Sequence, residues 1–271
     1  MTEPIFRTAL PDWLPSGLPD TLADRIHPMN DNPVARDARY VLCWLQQALR
    51  ADQNPLIELG RSIIGTRAET THIYLISEGW AVSKLDIDTG DKQILDILGP
   101  GSFAGLSRMD EIATDEYSAV ALQDVQAYRI PVDALQRVCA SSDALGAWLS
   151  ERLAHEVQRA QRHIAALGRL PARGRLAFVM LRIIDVAQQT GETAIDKTIR
   201  LPMTQEEIGN MLGLTNVSIS KLMSAFRKEG LIDYGRNRIV VRNVEALSAI
   251  CGMSLEAMSG AAKAGTPNHA A

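Results

Sequence analysis

The sequence predicts an α+β protein: a compact barrel or sandwich of short strands, one long helix, and a C-terminal pair of helices with a β-hairpin. Three stretches of the 271-residue chain predict it. From about Leu56 to Ile130, β-rich runs alternate with Gly- and Pro-bearing turns. From Ser141 to Leu170, apolar residues recur at intervals of three or four. From Leu201 to Arg242, two short helices are capped across a tight turn and followed by a hairpin signal.

In chain order, residues 1–33 carry Pro4, Pro11, Pro15, Pro19, Pro28 and Pro33, which leave room for little regular structure. The first residues have no basic run leading into an apolar one, so no signal peptide is expected. No apolar stretch is long enough to span a bilayer. Residues 34–50 read as an amphipathic packing helix with Val41, Trp44, Leu45 and Leu49 on one face. Strands follow at Ile73–Ile76, Trp80–Ile87, Ile94–Leu98, Tyr117–Leu122 and Val125–Ile130. Pro131 opens a short helix through Val138.

The long helix over Ser141–Leu170 carries Leu145, Trp148, Leu149, Leu153, Val157, Ala160, Ile164 and Leu167. So narrow a stripe suits either an intramolecular contact or a seam with a second copy, and its length favours the seam. Leu145, Leu149, Leu153, Val157, Ala160, Ile164 and Leu167 are the expected dimerisation residues. Gly168–Gly174 reads as a hinge, and a further helix runs from Arg173 to about Gln189 around Leu176, Phe178, Val179, Leu181 and Ile183. The expected divisions are 1–50, 51–140, 141–170, 171–251 and a disordered tail over 252–271.

In the C-terminal module, Thr204 and Glu207 form a capping box. Ile208, Met211 and Leu212 make the apolar face, Gly209 permits a close crossing, and Gly213 supplies a positive-φ turn. Thr215 caps a second helix from Asn216 to about Glu229, which buries Ile219, Leu222, Met223 and Phe226. Asn216, Val217, Ser220, Lys221 and Ser224 then share an exposed face. Short polar and basic side chains at the start of an exposed helix suit the major groove of DNA. Thr204, Gln205, Thr215 and Ser218, with Arg236 and Arg238 on the hairpin, are expected at phosphates or single base atoms.

Charge agrees with that assignment. Arg169–Cys251 holds 12 Lys and Arg against 8 Asp and Glu, a net of +4, while the remaining residues sum to −8. A basic module on an acidic body fits a polyanion partner. Cys43, Cys139 and Cys251 are widely separated and odd in number, which indicates a reducing compartment, the cytoplasm, and idle thiols.

The order of parts, with the motifs EGWAV, LGPGSFAGL, GRLAFVML and TQEEIGNMLGLTNVSISKLMSAFRKEGLI, resembles the CRP/FNR superfamily of dimeric transcription regulators, and its FNR/FixK-like branch most. The resemblance covers about residues 56–245. It implies a cyclic-nucleotide-binding-like β-roll, a long dimerisation helix and a C-terminal winged helix-turn-helix. It also implies a homodimer on a palindromic operator in double-stranded DNA, RNA polymerase as a further partner, and no enzymatic activity. Nucleotide-binding members carry a Gly-Glu pair and an Arg-Ser-Ala run. Here these positions are Gly105-Leu106 and Tyr117-Ser118-Ala119, and the polar base contacts become Ala160 and Gln161. Leucine cannot accept from a sugar hydroxyl and tyrosine cannot neutralise a phosphate, so the expected pocket is vestigial and no cofactor is expected. A different ligand is the alternative.

Three isolated cysteines cannot hold a four-thiolate iron–sulfur cluster. Haem needs fewer ligands, for which His72, His155 and His163 are the candidates. A cupin-like enzyme would need a His/Glu/Asp cluster on the strands, where only His72 occurs. A sensor that signals through a partner protein gives no role to the Asn216–Ser224 face.

Overall fold

The computed structural model describes residues 56–59, 63–64, 71–86, 92–109, 117–141, 143–189, 198–199, 203–235, 238–255 and 258. The Pro-rich start, the expected helix over 34–50, Arg236 and residues 259–271 lie outside these.

Two antiparallel four-stranded sheets build the N-terminal domain. The first has the order β1 (Leu56–Leu59), β8 (Val125–Pro131), β3 (His72–Glu78), β6 (Phe103–Ala104). The second has the order β2 (Ile63–Ile64), β7 (Tyr117–Ala121), β4 (Ala81–Asp86), β5 (Lys92–Leu98). Residues 73–77 of β3 are all buried because both faces of its sheet are covered. Tyr74 and Ile76 point inward, meeting Ala81, Leu98, Ala119 and Ala121 of the other sheet. Ile73 and Leu75 point outward, under two helices. Those helices are α1 (Val132–Ser141) and the start of α2 (Asp143–Arg169).

This corrects the proposed seam. Leu145 and Leu149 are 3% and 6% exposed and pack with Trp148, Phe103 and Ile130 inside the protomer. The first turns of the apolar stripe close the barrel, and its later residues, Leu153 to Leu167, are not buried in the protomer. The helices also divide differently from expectation. α1 runs on to Ser141, and the hinge shrinks to Leu170 and Pro171, because Gly168 and Gly174 are helical.

The outer face of the second sheet packs on the C-terminal domain. Trp80, Val82, Ile94, Ile97 and Leu122 share one core with α3 (Ala172–Gln189), in which residues 176–187 are all buried. At roughly 1.5–3 kcal/mol for each large apolar side chain fully buried, this shared core joins the two domains firmly. Around α3 lie α4 (Gln205–Leu212), α5 (Asn216–Lys228) and α6 (Val244–Cys251). The hairpin β10 (Ile232–Gly235) and β11 (Arg238–Val241) pairs Gly235 with Arg238 across a two-residue loop. A third strand not anticipated from sequence, β9 (Thr198–Ile199), adds to β11.

Candidate nucleic-acid interface

The helix pair forms as its caps dictate. The Thr204 hydroxyl accepts from the Glu207 amide at 3.1 Å, and the Thr204 amide donates back to the Glu207 carboxylate at 2.8 Å. Gly213 ends α4 with φ +62, the left-handed conformation that favours glycine. A Cβ on Gly209 would lie 2.7 Å from the Leu214 carbonyl oxygen, so only glycine lets the turn pass so near α4. Ile219, Met223 and Phe226 of α5 bury against Ile208, Met211 and Leu212 of α4. Leu222 is only half-buried.

With that face fixed, Asn216, Val217, Ser220 and Lys221 are exposed together, Val217 at 65%. An outward valine on the first turn costs contact with water unless a partner covers it. No acidic residue occupies that turn, so the positive end of the helix dipole is left for an anion from outside.

The other expected contacts divide. Thr215 accepts from the Ser218 amide at 3.3 Å and its hydroxyl bonds the Ser218 hydroxyl at 2.9 Å, so both side chains serve the cap. Ser224 is half-buried. The Thr204 amide is occupied by Glu207, and Gln205 next to it is half-buried. Arg238 is exposed at the start of β11, lying over Gly235, and Arg236 lies outside the described residues. Sequence reasoning missed the braces behind the interface. Arg227 bonds Asp233 at 3.0 Å and stacks over Tyr234, and Arg173 pairs with Glu229 and covers Phe226.

A cavity of about 430 Å³ lies between the barrel and α2. Gly105, with φ +88, and Leu106 line it beside Tyr117, and Leu106 is buried in the apolar cluster under α1 and α2. Burial pushes the Tyr117 phenol up, and a hydrogen bond from Ser83 only partly offsets this. The cavity also has arginines that the sequence did not point to. Arg182 grips Asp96 with two hydrogen bonds, at 2.9 and 3.1 Å, and pairs with Asp185. Arg159 reaches the same Asp96 at 3.4 Å. Burial raises the Asp96 carboxyl, but the charges of Arg182 and Arg159 outweigh it and hold it below the usual range. Desolvation pushes Glu156, half-buried beside Arg159, up to about 7.

The candidate haem ligands are each engaged and do not converge. His72 bonds Thr71 at 2.9 Å, His155 lies 3.5 Å from Glu151, and His163 contacts two backbone carbonyls. Among the described residues no three His, Cys, Asp or Glu are grouped as a metal site would need. Burial raises the thiols of Cys139 and Cys251. No described helix is long and apolar enough to cross a membrane.

A β-roll joined by a long helix to a winged helix-turn-helix, with an exposed polar face on the second helix, defines a DNA-binding regulator. Two family models match the chain: a cyclic nucleotide-binding domain over residues 57–142 and a Crp-like helix-turn-helix domain over residues 174–250, together more than half its length. The chain belongs to the CRP/FNR superfamily of transcription regulators. It is 28% identical over 196 residues to the transcriptional regulatory protein btr of Bordetella pertussis, covering 72% of this chain and 80% of that one. It is 27% identical over 196 residues to the fumarate and nitrate reduction regulatory protein of Yersinia pestis, covering 72% and 77%. FixK2 from Bradyrhizobium japonicum has the same fold, with a TM-score of 0.63 and 24% identity over 72% of this chain and 97% of that one. These relatives are regulators and not enzymes.

Proposed function

We propose that the protein acts as a cytoplasmic homodimer that reads a palindromic operator through α5 and engages RNA polymerase there, with a β-roll that does not bind cyclic AMP. The exposed Asn216–Lys221 face on a fully capped helix pair carries this reading. Asn216 is suited to bidentate pairing with adenine, Lys221 to guanine O6 and N7, and Val217 to a thymine methyl. Arg238 and Arg236 hold phosphates. Leu106 and Tyr117, which replace the two groups that would hold a nucleotide, support an unoccupied nucleotide site. The arginines behind them are mostly spent on Asp96 and Asp185.

Randomised-site selection tests the reader assignment. Lys221→Ala should relax selectivity at one base pair with a loss of about 1–3 kcal/mol, whereas Arg238→Ala should weaken all sequences alike and lower the salt slope by roughly one unit. An unchanged selected site for Lys221→Ala would overturn the assignment.

A second reading rests on one atom. Arg162 Nη1 is buried without a hydrogen-bond partner, and Arg162 lines the cavity. That favours a small anionic effector of another class. Calorimetry with millimolar cyclic AMP and cyclic GMP should give no binding heat, and micromolar affinity for either would refute the first reading of the β-roll.

A further inference from the structure

The barrel meets the helix pair along β5, the edge strand of its sheet. Amides on the open side of an edge strand have no strand to donate to, and burying one unpaired is costly. For Ile94 the acceptor comes from the other domain: Asn210 Oδ1, on α4, accepts from the Ile94 amide at 2.7 Å. Gln93 returns the contact. Its Nε2 donates to the Asn210 carbonyl at 2.8 Å and to the Ile94 carbonyl at 3.0 Å, and lies 3.4 Å from the Met211 carbonyl. The Asn210 carbonyl also takes the Gly213 amide at 3.4 Å, and its second lone pair serves Gln93. A backbone amide can only donate and a carbonyl can only accept, so the chemistry fixes which end of each side-chain amide faces its partner.

Local structure brings the two sides together. The β4–β5 register passes from Ser83 opposite Asp96 to Lys84 opposite Ile94, a bulge that bends the edge strand beside the contact. Asn210 is in the last turn of α4, where carbonyls lack helical partners. Arg175 Nη1, on α3, donates to the Leu212 carbonyl at 3.3 Å, so the end of α4 is held from a second side. What fixes α4 also fixes α5. The turn between them passes so near Gly209 that a Cβ there would lie 2.7 Å from the Leu214 carbonyl oxygen, and Ile219, Met223 and Phe226 bury against α4. Asn210 itself is an exposed residue that caps neither helix and lies apart from the Asn216–Lys221 face.

We propose that Asn210 is a positioning residue for operator binding: by fixing α4 on the Gln93–Ile94 edge of β5 it sets where α5 stands relative to α2, and so which half-site spacing the dimer accepts. The inference rests on the operator-reading proposal above. In a dimer joined along α2, the path from the two-fold axis to the reading face runs through the barrel and α3 to α4 and α5. Apolar burial holds that path together but is non-directional, and packed helices slide past one another by small shears. Hydrogen bonds have direction. The shared core supplies adhesion, and the Asn210–Ile94 and Gln93–Asn210 bonds supply the register.

Spacing separates this role from two plainer ones. A phosphate contact by Asn210 would weaken operators of every spacing alike on its loss, and so would a general loss of stability. A positioning role changes the ratio between spacings. One base pair inserted between half-sites moves one of them by about 3.4 Å and turns it by about 35°, which a fixed pair of α5 helices cannot follow and a loosened pair can. The bases chosen within each half-site belong to α5 and should not change.

The test uses the full-length protein and three DNA duplexes: the selected palindrome, and the same half-sites with one base pair inserted or removed at the centre. Affinities are measured by fluorescence anisotropy, and hydrogen exchange of the Ile94 amide is followed without DNA. Wild type should lose about tenfold or more on either altered duplex, as bivalent binding at a fixed span implies. Asn210→Ala should bind the native spacing roughly five- to tenfold more weakly, the size of one or two net hydrogen bonds. It should also lose no more than about threefold on changing the spacing, select the same half-site bases, and exchange Ile94 faster. Asn210→Asp keeps an acceptor for the Ile94 amide and should restore both the spacing preference and the slow exchange. If Asn210→Ala weakens all three duplexes by one factor, or keeps the wild-type ratio while Ile94 exchanges faster, the positioning role is overturned. A wild type that binds no palindrome at any spacing would sink the operator reading. The Ile94 arm would then decide the junction by itself, with unchanged exchange in Asn210→Ala counting against it.

Discussion

Arg182→Met is expected to lower the unfolding free energy by about 3–5 kcal/mol, the cost of breaking a buried ion pair from one side. Arg182 is 3% exposed and donates to Asp96 on the barrel, to Asp185 one turn along α3, and to the Ile97 carbonyl at 2.7 Å. Methionine fills much of the same volume but leaves the Asp185 carboxylate buried and the Asp96 carboxylate half-buried. Asp96 retains Arg159 at 3.4 Å. Asp185 retains no comparable cation. Burial already raises its carboxyl against the pull of Arg182, so in the variant it should take up a proton. The variant should thus recover part of its stability as pH falls from neutral towards 5, because its folded state then binds the extra proton. Asp96 in the wild type behaves oppositely. Its depressed pKa contributes stability above the ordinary carboxylate range that is lost as pH falls through the folded value. Adding Asp185→Leu to Arg182→Met should restore more than half of the loss, since apolar replacement of a buried ionic group is often neutral or better. Urea unfolding monitored by tryptophan fluorescence would measure both. A loss under about 1 kcal/mol for Arg182→Met would mean that the site is wet and the pair idle.

How much of this was legible depends on whether the deciding interaction is local. The capping box at Thr204, the left-handed Gly213 and the Thr215 cap are set within four residues, and each forms as the spacing requires. The exposed face of α5 follows, because the buried face is fixed by Ile219, Met223 and Phe226. The seam was harder. A stripe at helical spacing states that a face is covered, not what covers it, and Leu145 and Leu149 turned out to close the barrel. Least legible was the junction. Arg182 lies in an apolar run broken otherwise only by Asp185 one turn on, and its partner on the barrel, Asp96, is 86 residues away. His163 gave no sequence signal of its contacts, since both are with backbone carbonyls, 68 and 48 residues distant, one at a bulge and one at a helix end. Two-residue strands such as β6 and β9 were missed because each is specified by the strand it pairs with, not by its own pattern.

Ile164→Arg is expected to convert a dimer into a monomer and to reduce operator affinity by about a hundredfold or more, the avidity lost when only one half-site can be held. Leu153, Val157, Ala160, Ile164 and Leu167 are spaced by four, three, four and three, the seam of a two-helix contact. Unlike Leu145 and Leu149, they are not buried in the protomer. Leu153 is 36% exposed, Val157 55% and Ile164 70%, although Ile164 shares a helix with the buried Ala166. A two-fold mate of the same helix would cover these side chains and set two copies of α5 about 34 Å apart, one turn of DNA. Arginine at position 164 would place two like charges across that axis in an apolar contact. Because the site is outward-facing in the single chain, the substitution should leave folding intact, so far-ultraviolet circular dichroism and the urea midpoint should stay near wild type once the dimer contribution is allowed for. Leu149→Ala provides the converse. It should cost about 2–5 kcal/mol of stability through the cavity it leaves under the barrel, and leave dimerisation unchanged in whatever fraction remains folded. Sedimentation velocity at micromolar concentration separates the two. A monomeric wild type, or an Ile164→Arg variant that still sediments as a dimer, would remove α2 as the two-fold seam.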